Sequence, residues 1–297
     1  MFKKRTTPGS LGLGESLAGL GLGGDDQKVN ADAQKVSVVI PALNEEKSIA
    51  STIAALKACS PPVHEILVVV AQGNSDKTAQ IARKAGAHRV ITRSPRGRSS
   101  QQNLGANAAK GDIVCFVHAD TRVPPQLVQE TRRQLAKPDV ALGAFRPVIV
   151  DDTRQTNNDK VMKFSSWHNA NKTWIYPFLL KPYDACRGLR VVFGDQSIFV
   201  RREDFKQVGG YDEKLAIMED ADLCLRMHKS GAKTGRRRRI VQSHLPARTS
   251  GRRIVELGGE IKATYAHACI GFGWALGLSP ARIRRMYESI YMGDDPR

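Results

Sequence analysis

The run Val114-Cys115-Phe116-Val117-His118-Ala119-Asp120-Thr121 is an apolar strand sequence that ends in a single carboxylate, with Pro124-Pro125 closing the loop behind it. A carboxylate at the C-terminal end of a parallel strand stands where open α/β sheets bind ligands. One hard oxygen donor there can hold a divalent cation against a substrate diphosphate, although Asp serves equally well as the cap of a following helix. A second acidic cluster, Glu219-Asp220-Ala221-Asp222, opens a segment of helical character. There a carboxylate can act as a general base or merely complement a helix dipole.

The elements that must position these groups follow from periodicity. Val36 to Ile40 is a β-rich apolar run stopped by Pro41, and Ile49, Ile53 and Leu56 recur at helical spacing over 47–59. Ile66 to Val70 is a second strand; Asn74-Ser75-Asp76 offers caps for a helix that Gly86 ends. Arg89 to Thr92, Ile113 to Val117 and Val140 to Val150 read as further strands, with helices over 101–109 and 125–136 between them. Such alternation implies an α/β fold with a doubly wound, mostly parallel, Rossmann-like sheet. The strand-end loops 41–46, 71–76, 93–98 and 118–121 then converge on one edge. They carry Glu45, Glu46 and Asp120 beside Arg93, Arg96 and Arg98, a mixture suited to a metal-bound diphosphate. Beyond Asp151 the pattern is less regular. An aromatic-rich segment from Phe164 to Tyr183 reads as subdomain core, followed by a strand near 191–200, a helix from Glu219 to Gly231, and a basic final helix with Pro280 at its first position.

Composition narrows the class. The 297 residues, 41% of them apolar, have length for an ample core. The longest apolar stretch, Ala266 to Leu278, is interrupted by His267 and glycines and is too short to cross a bilayer. It reads as a packing or interfacial helix. The formal net charge of +17 points to anionic partners: phosphorylated substrates, an acidic membrane surface or nucleic acid. Nucleic acid is the weakest of these, because the run Arg236 to Arg239 has no base-reading or aromatic residues interleaved and reads as a solvated face. No Gly-x-x-x-x-Gly-Lys-Ser/Thr loop is present. Cys59, Cys115, Cys186, Cys224 and Cys269 lack paired spacing, which argues against a disulfide framework or zinc site and for a reducing, cytoplasmic compartment. Residues 1–34 read as a disordered tail or weak organelle presequence, and 291–297 as a second tail.

The opening Val36-Ser37-Val38-Val39-Ile40-Pro41-Ala42-Leu43-Asn44-Glu45-Glu46 resembles that of family 2 glycosyltransferases, which have the GT-A fold. Further segments are similar to the radical-SAM-associated subgroup: Arg93-Ser94-Pro95-Arg96-Gly97-Arg98 with Gln102 and Asn103, His118 to Arg122, Gly194 to Arg202, Met218 to Leu223, Thr249 to Arg253, and Gly277-Leu278-Ser279-Pro280 through Tyr287. The resemblance covers residues 36–290. It implies one domain over 35–290, with a nucleotide-sugar-binding half (35–137), an acceptor-side catalytic half (138–250) and C-terminal helices (251–290). The implied activity is metal-dependent, inverting transfer of a sugar from a UDP- or GDP-linked donor to an acceptor hydroxyl or lipid phosphate, with Mg²⁺ or Mn²⁺ as cofactor. By the same resemblance Pro41, Ala42, Asn44, Glu45, Arg98, Gln102, Arg252 and Arg253 bind the donor, Asp120 binds the metal, and Asp220 is the general base. Two positions depart from the family pattern: His118 replaces the first Asp of Asp-x-Asp, and Ala71 replaces an Asp that contacts the nucleobase, leaving Gln72 as a substitute. The second departure keeps an alternative open, a non-catalytic protein of this fold that binds an anionic ligand or a partner, in contact with an acidic membrane or not.

Overall fold

The computed structural model describes residues 33–151, 160–230 and 238–291. The expected tails lie almost wholly outside them. The first half runs β1 (Val36–Ala42), α1 (Ile49–Lys57), β2 (Glu65–Ala71), α2 (Thr78–Lys84), β3 (Arg89–Ser94), α3 (Arg98–Ala108), β4 (Ile113–Phe116), the short β5 (Thr121–Arg122) and α4 (Leu127–Leu135). The second half comprises β6 (Val140–Asp151), β7 (Lys160–Val161), α5 (Lys163–Leu180), α6 (Pro182–Cys186), a 3₁₀ turn at Gly194–Gln196, β8 (Ile198–Arg201), α7 (Arg202–Gln207), α8 (Glu219–Ser230), β9 (Arg239–Ser250), α9 (Arg252–Glu256), α10 (Glu260–Ala275) and α11 (Pro280–Tyr291).

One nine-stranded sheet in the order β3-β2-β1-β4-β8-β6-β9-β5, with β7 added to β6, runs through both halves. β1 pairs in parallel with β2 and β4, β2 with β3, and β6 with β9, so most of the paired length is parallel. β8 enters antiparallel between β4 and β6. β1 and β2 are buried along their whole length, which is why they read as continuous apolar runs. Side-chain alternation divides β1 between two cores. Val36, Val38 and Ile40 pack with Ile49, Ile53 and Leu56 of α1 and Leu127 of α4. Val39 points the other way, among Ala106 of α3 and Leu223 and Met227 of α8. The chain winds outward from β1 to β3, then returns over α3 to β4 on the opposite side of β1, placing a topological switch point between β1 and β4. Ligand crevices of doubly wound sheets open there.

The second half departs from the sequence reading in three places. The strand expected near 191–200 is reduced to β8, because Gly194 to Gln196 form a 3₁₀ turn and Ser197 takes a left-handed φ of 52°. The aromatic segment forms α5, and Phe164, Trp167, Trp174 and Phe178 lie on its exposed side instead of in a core. Within the basic run, Arg236 and Arg237 fall outside the described residues; Arg238 makes a mostly buried bridge to Asp204, while Arg239 pairs with Asp139 where both are half exposed to solvent.

α3 lies flat on the sheet through Gly105, where an added Cβ would stand 2.3 Å from Val39 Cγ1 and 3.1 Å from Val69 Cγ2. Gly105→Ala is therefore expected to destabilise the fold by about 1–3 kcal/mol through overpacking, lowering the Tm by several degrees in a calorimetric scan.

Candidate active site

The β1–α1 and β2–α2 loops are stitched together by their own polar side chains. Asn44, at a left-handed φ of 54°, accepts from the Ser75 amide (2.9 Å) through Oδ1, while its own amide donates to Asn74 Oδ1 at 2.8 Å. The Glu45 amide donates to Thr78 Oγ1 (2.8 Å) and the Glu46 amide to Asp76 Oδ2 (2.9 Å). This leaves the Glu45 carboxylate facing the crevice, where it accepts from Ser48 Oγ at 2.8 Å and pairs with Arg252 Nη2 at 3.3 Å.

Arg252 reaches it because β5 pairs antiparallel with β9, Thr121 opposite Thr249, their hydroxyls 3.0 Å apart. The residues after β9 thus arrive beside the His118-Ala119-Asp120 turn, which Thr52 Oγ1 fixes by donating to the Ala119 carbonyl at 2.7 Å. No cap of α4 is made by Asp120, since β5 intervenes and Gln126 holds the cap position.

Asp220 comes from the first turn of α8, entered through Met218 at a left-handed φ of 68°. It is only 4% exposed. Its Oδ2 accepts from the Gly194 amide at 2.8 Å, while Oδ1 is buried with no hydrogen-bond partner. The neighbouring Glu219 pairs with Arg98 of α3 at 3.4 Å. Gly194 has room for no side chain, since a Cβ there would stand 2.4 Å from His118 Nε2 and 3.3 Å from Asp220 Oδ2.

These groups share one cavity of about 540 Å³. Pro41, Ala42, Glu45, Arg98, Asp120, Asp220, Arg252 and Arg253 all line it. Asn44 and Gln102 do not: Asn44 ties the two loops, and Gln102 is fully buried with neither end of its amide partnered. The neighbouring Gln101 lines the cavity instead, its Nε2 donating to the carbonyls of Ala42 and Val69 at 2.9 and 2.7 Å. Arg93, Arg96, Glu46 and Gln72 also stand outside the wall, so Arg98 is the one arginine of the 93–98 loop that faces it. Sequence reasoning missed Lys172 of α5 and His267 of α10, while Tyr176, one of the aromatics of the Phe164–Tyr183 segment, also lines the wall. The signal for Lys172 was its helical spacing with Asn169 and Tyr176, on the face opposite the exposed aromatics. Its ammonium stands 4.0 Å from the centre of the Phe193 ring.

The electrostatics are those of a desolvated, mixed-charge cleft. Burial pushes Asp120 up to about 6, aided by Glu45 and opposed by Arg252 and Arg253. Burial also raises Asp220, to about 7, with Glu219 adding to the shift and Arg98 opposing it. Tyr211, buried beside Asp220, is driven well above the ordinary phenol value by burial and then by Asp220 and Glu219. Burial, with Arg98 and Arg253, holds His118 well below the usual imidazole range, and burial with Lys172 brings His267 to about 3. Both rings are therefore neutral near pH 7.

The profile of Glycosyl transferase family 2 matches residues 37–209. The chain belongs to that family. It is 28% identical over 211 residues to the probable glycosyltransferase YdaM of Bacillus subtilis, covering 66% of this chain and 47% of that one. It is 34% identical over 101 residues to an undecaprenyl-phosphate 4-deoxy-4-formamido-L-arabinose transferase of Photorhabdus laumondii, covering 31% of each. The chain spans about half the length or less of most of the curated relatives it matches. Among solved structures, glucosyl-3-phosphoglycerate synthase of Mycobacterium tuberculosis, crystallised with Mn²⁺, UDP and glucosyl-3-phosphoglycerate, superposes with a TM-score of 0.57 at 20% identity, over 89% of this chain and 88% of that one. The fold is thus of the GT-A type.

A raised carboxylate makes a prediction about stability. With Asp220 at about 7 when folded and near 4 when unfolded, the native state holds its proton more tightly, so stability falls as pH rises from about 4 to about 7. Asp220→Asn removes that cost and keeps an acceptor for the Gly194 amide. Its Tm is expected to exceed that of the parent by several degrees at pH 8, the gap closing near pH 4.

Proposed function

We propose that this chain is a metal-dependent, inverting glycosyltransferase that moves a sugar from a UDP- or GDP-linked donor to an acceptor. The observation that carries this reading is the shared cavity: Asp120 and Asp220 line it together with Arg98, Arg252 and Arg253. The motif order along the chain supports the radical-SAM-associated subgroup, and the unpaired cysteines suit a cytoplasmic setting.

The residues present fit a hard divalent cation. Asp120 and Glu45 are close enough for one to raise the other, a pair of oxygen donors of the kind Mg²⁺ and Mn²⁺ prefer. Among the described residues no cluster of three or more ligating side chains occurs, so donor phosphates would complete the shell. Such an ion, when bound, offsets the charge that grows on a departing diphosphate. Arg98, Arg252 and Arg253 contact phosphate oxygens and share that task. Asp220 takes the proton of an acceptor hydroxyl. Its Oδ2 is held by the Gly194 amide, while Oδ1, buried beside Tyr211, makes no hydrogen bond of its own. A carboxylate raised to about 7 is a stronger base than an ordinary aspartate and is still ionised in part at neutral pH.

Two measurements test the assignment. Transfer with Mn²⁺ is expected to fall roughly 10²–10⁴-fold in Asp220→Asn and to be abolished, with loss of metal dependence, in Asp120→Ala; retained turnover in both variants removes these roles. In the parent enzyme kcat/KM is expected to rise with pH and level off above about 7 as Asp220 loses its proton, a break that disappears in Asp220→Asn.

Ala71, buried in the cavity wall at 3% exposure, favours a second reading. It offers a methyl group where the family pattern has a base-contacting Asp, as a non-catalytic ligand-binding descendant would. Calorimetry with UDP and GDP in Mn²⁺ separates the two: binding of either supports transfer, and its absence in a folded protein supports the descendant.

A further inference from the structure

α5 and α10 pack together through Tyr176 and Phe272, whose ring centres lie 5.9 Å apart. Their inner faces supply Asn169, Lys172, Tyr176 and His267 to the cavity wall. Their outer faces are apolar. α5 presents Phe164, Trp167, Trp174, Ile175, Phe178 and Leu179 at helical spacing, 42% to 62% exposed. α10 presents Ile261, Tyr265, Phe272 and Leu276, of which Ile261 and Leu276 are 80% exposed. A contiguous apolar surface of this kind is not left to water without reason.

The charge around it identifies what covers it. From Lys160 to Tyr183 the sequence contains no Asp or Glu, and exposed lysines stand at both ends of the stripe, Lys160 and Lys163 before it and Lys181 after it. On α10 the exposed Lys262 adjoins Ile261, and the acidic Glu260 is occupied by the Ser165 amide at 2.6 Å. Arg282 and Arg285 of α11 are exposed nearby in sequence, while Arg284 pairs with Glu288. Tryptophan, tyrosine and phenylalanine flanked by lysines, with no acid along α5, is the composition of a surface that lies in the interface of an anionic bilayer, the rings at headgroup depth and the ammonium groups reaching out to phosphates.

We infer that the outer face of α5 and α10 docks this chain onto an anionic lipid surface. Docking sets the acceptor side of the cavity, built from the inner faces of the same helices, against the headgroup layer. No helix among the described residues is long and apolar enough to cross a membrane, so the attachment is peripheral.

Flotation of the full chain with phosphatidylcholine vesicles, with and without a third of phosphatidylglycerol, tests this without donor, metal or turnover. Failure here therefore leaves the glycosyl-transfer reading standing, and failure of that reading leaves this one. The chain is expected to float with the anionic vesicles, to bind neutral ones roughly tenfold less, and to lose binding as salt is raised. Tryptophan emission should shift to the blue on binding. Trp167→Ser combined with Phe178→Ser is expected to keep the parent circular dichroism and Tm, since both rings are exposed, and to weaken flotation roughly tenfold. Flotation unchanged in that double variant would assign binding to diffuse positive charge and overturn the proposal. So would absence of binding to anionic vesicles, or conversion of a dimer to a monomer by the double substitution in light scattering.

Discussion

The cleft depends on holding Asp220 where water barely reaches it while leaving it able to ionise. At 4% exposure, with Glu219 next to it, the carboxylate would stay protonated at neutral pH if nothing opposed burial. Two features oppose it: the Gly194 amide at 2.8 Å and the guanidinium of Arg98, itself tied to Glu219. The balance leaves the group near neutrality instead of at either extreme. That balance links parts of the chain remote in sequence, because Arg98 and Glu219 are 121 positions apart and meet only when α3 and α8 cover the same face of the sheet. The buried core beneath them is thus what sets the acidity of Asp220.

The rest of the site hangs on backbone conformations a relaxed chain would avoid. Asn44, Ser197 and Met218 take positive φ values without being glycine. All three lie close to the cavity wall: Glu45 follows Asn44, Glu219 follows Met218, and Asp195 lies two positions before Ser197. Such strain persists only where surrounding structure over-determines it. Here the Asn44–Asn74–Ser75 stitch does so for the first loop, and the Gly194–Asp220 bond for the other two. The antiparallel clip between Thr121 and Thr249 plays the same part for the arginines, carrying Arg252 to Glu45 across the sheet edge.

How legible this was in the sequence depended on where each element is buried. β1, β2 and β4 are covered on both faces and announce themselves as apolar runs, so the doubly wound half and its strand-end loops could be read directly. β9 has a mixed pattern of exposed and buried residues and interior polar side chains, and it carried no strand signature. α5 was obscured differently. Its rings suggested a core, but a helix can expose aromatics when something other than its own domain covers them, and no sequence pattern tells the two apart. Within the site, Asp120 and Asp220 stood out because carboxylates at element ends are chemically distinctive. Gln101 and Gln102 are adjacent amides of identical type, and only the rotation of α3 decides which one meets the cavity. Lys172 and His267 come from helices whose tertiary placement local spacing does not encode.

The distribution of charge argues for why a divalent ion belongs in the cleft of so basic a protein. The formal excess of +17 is not concentrated there: the wall carries Glu45, Asp120, Asp195, Glu219 and Asp220 against Arg98, Lys172, Arg252 and Arg253. With all of these ionised the wall is slightly negative, and a diphosphate arriving alone would meet carboxylates as well as arginines in a desolvated space where such terms are strong. Under the proposed function, a cation bound with the diphosphate would reverse that sign at the Asp120–Glu45 pair. Asp220, held near neutrality by the Gly194 amide and Arg98, would then keep the role of base proposed for it. A metal shared by both carboxylates would depress the basicity of Asp220 and stop it accepting a proton. The surplus positive charge of the chain thus lies outside the cleft wall, and part of it, Lys160, Lys163, Lys181 and Lys262, flanks the exposed apolar side chains of α5 and α10.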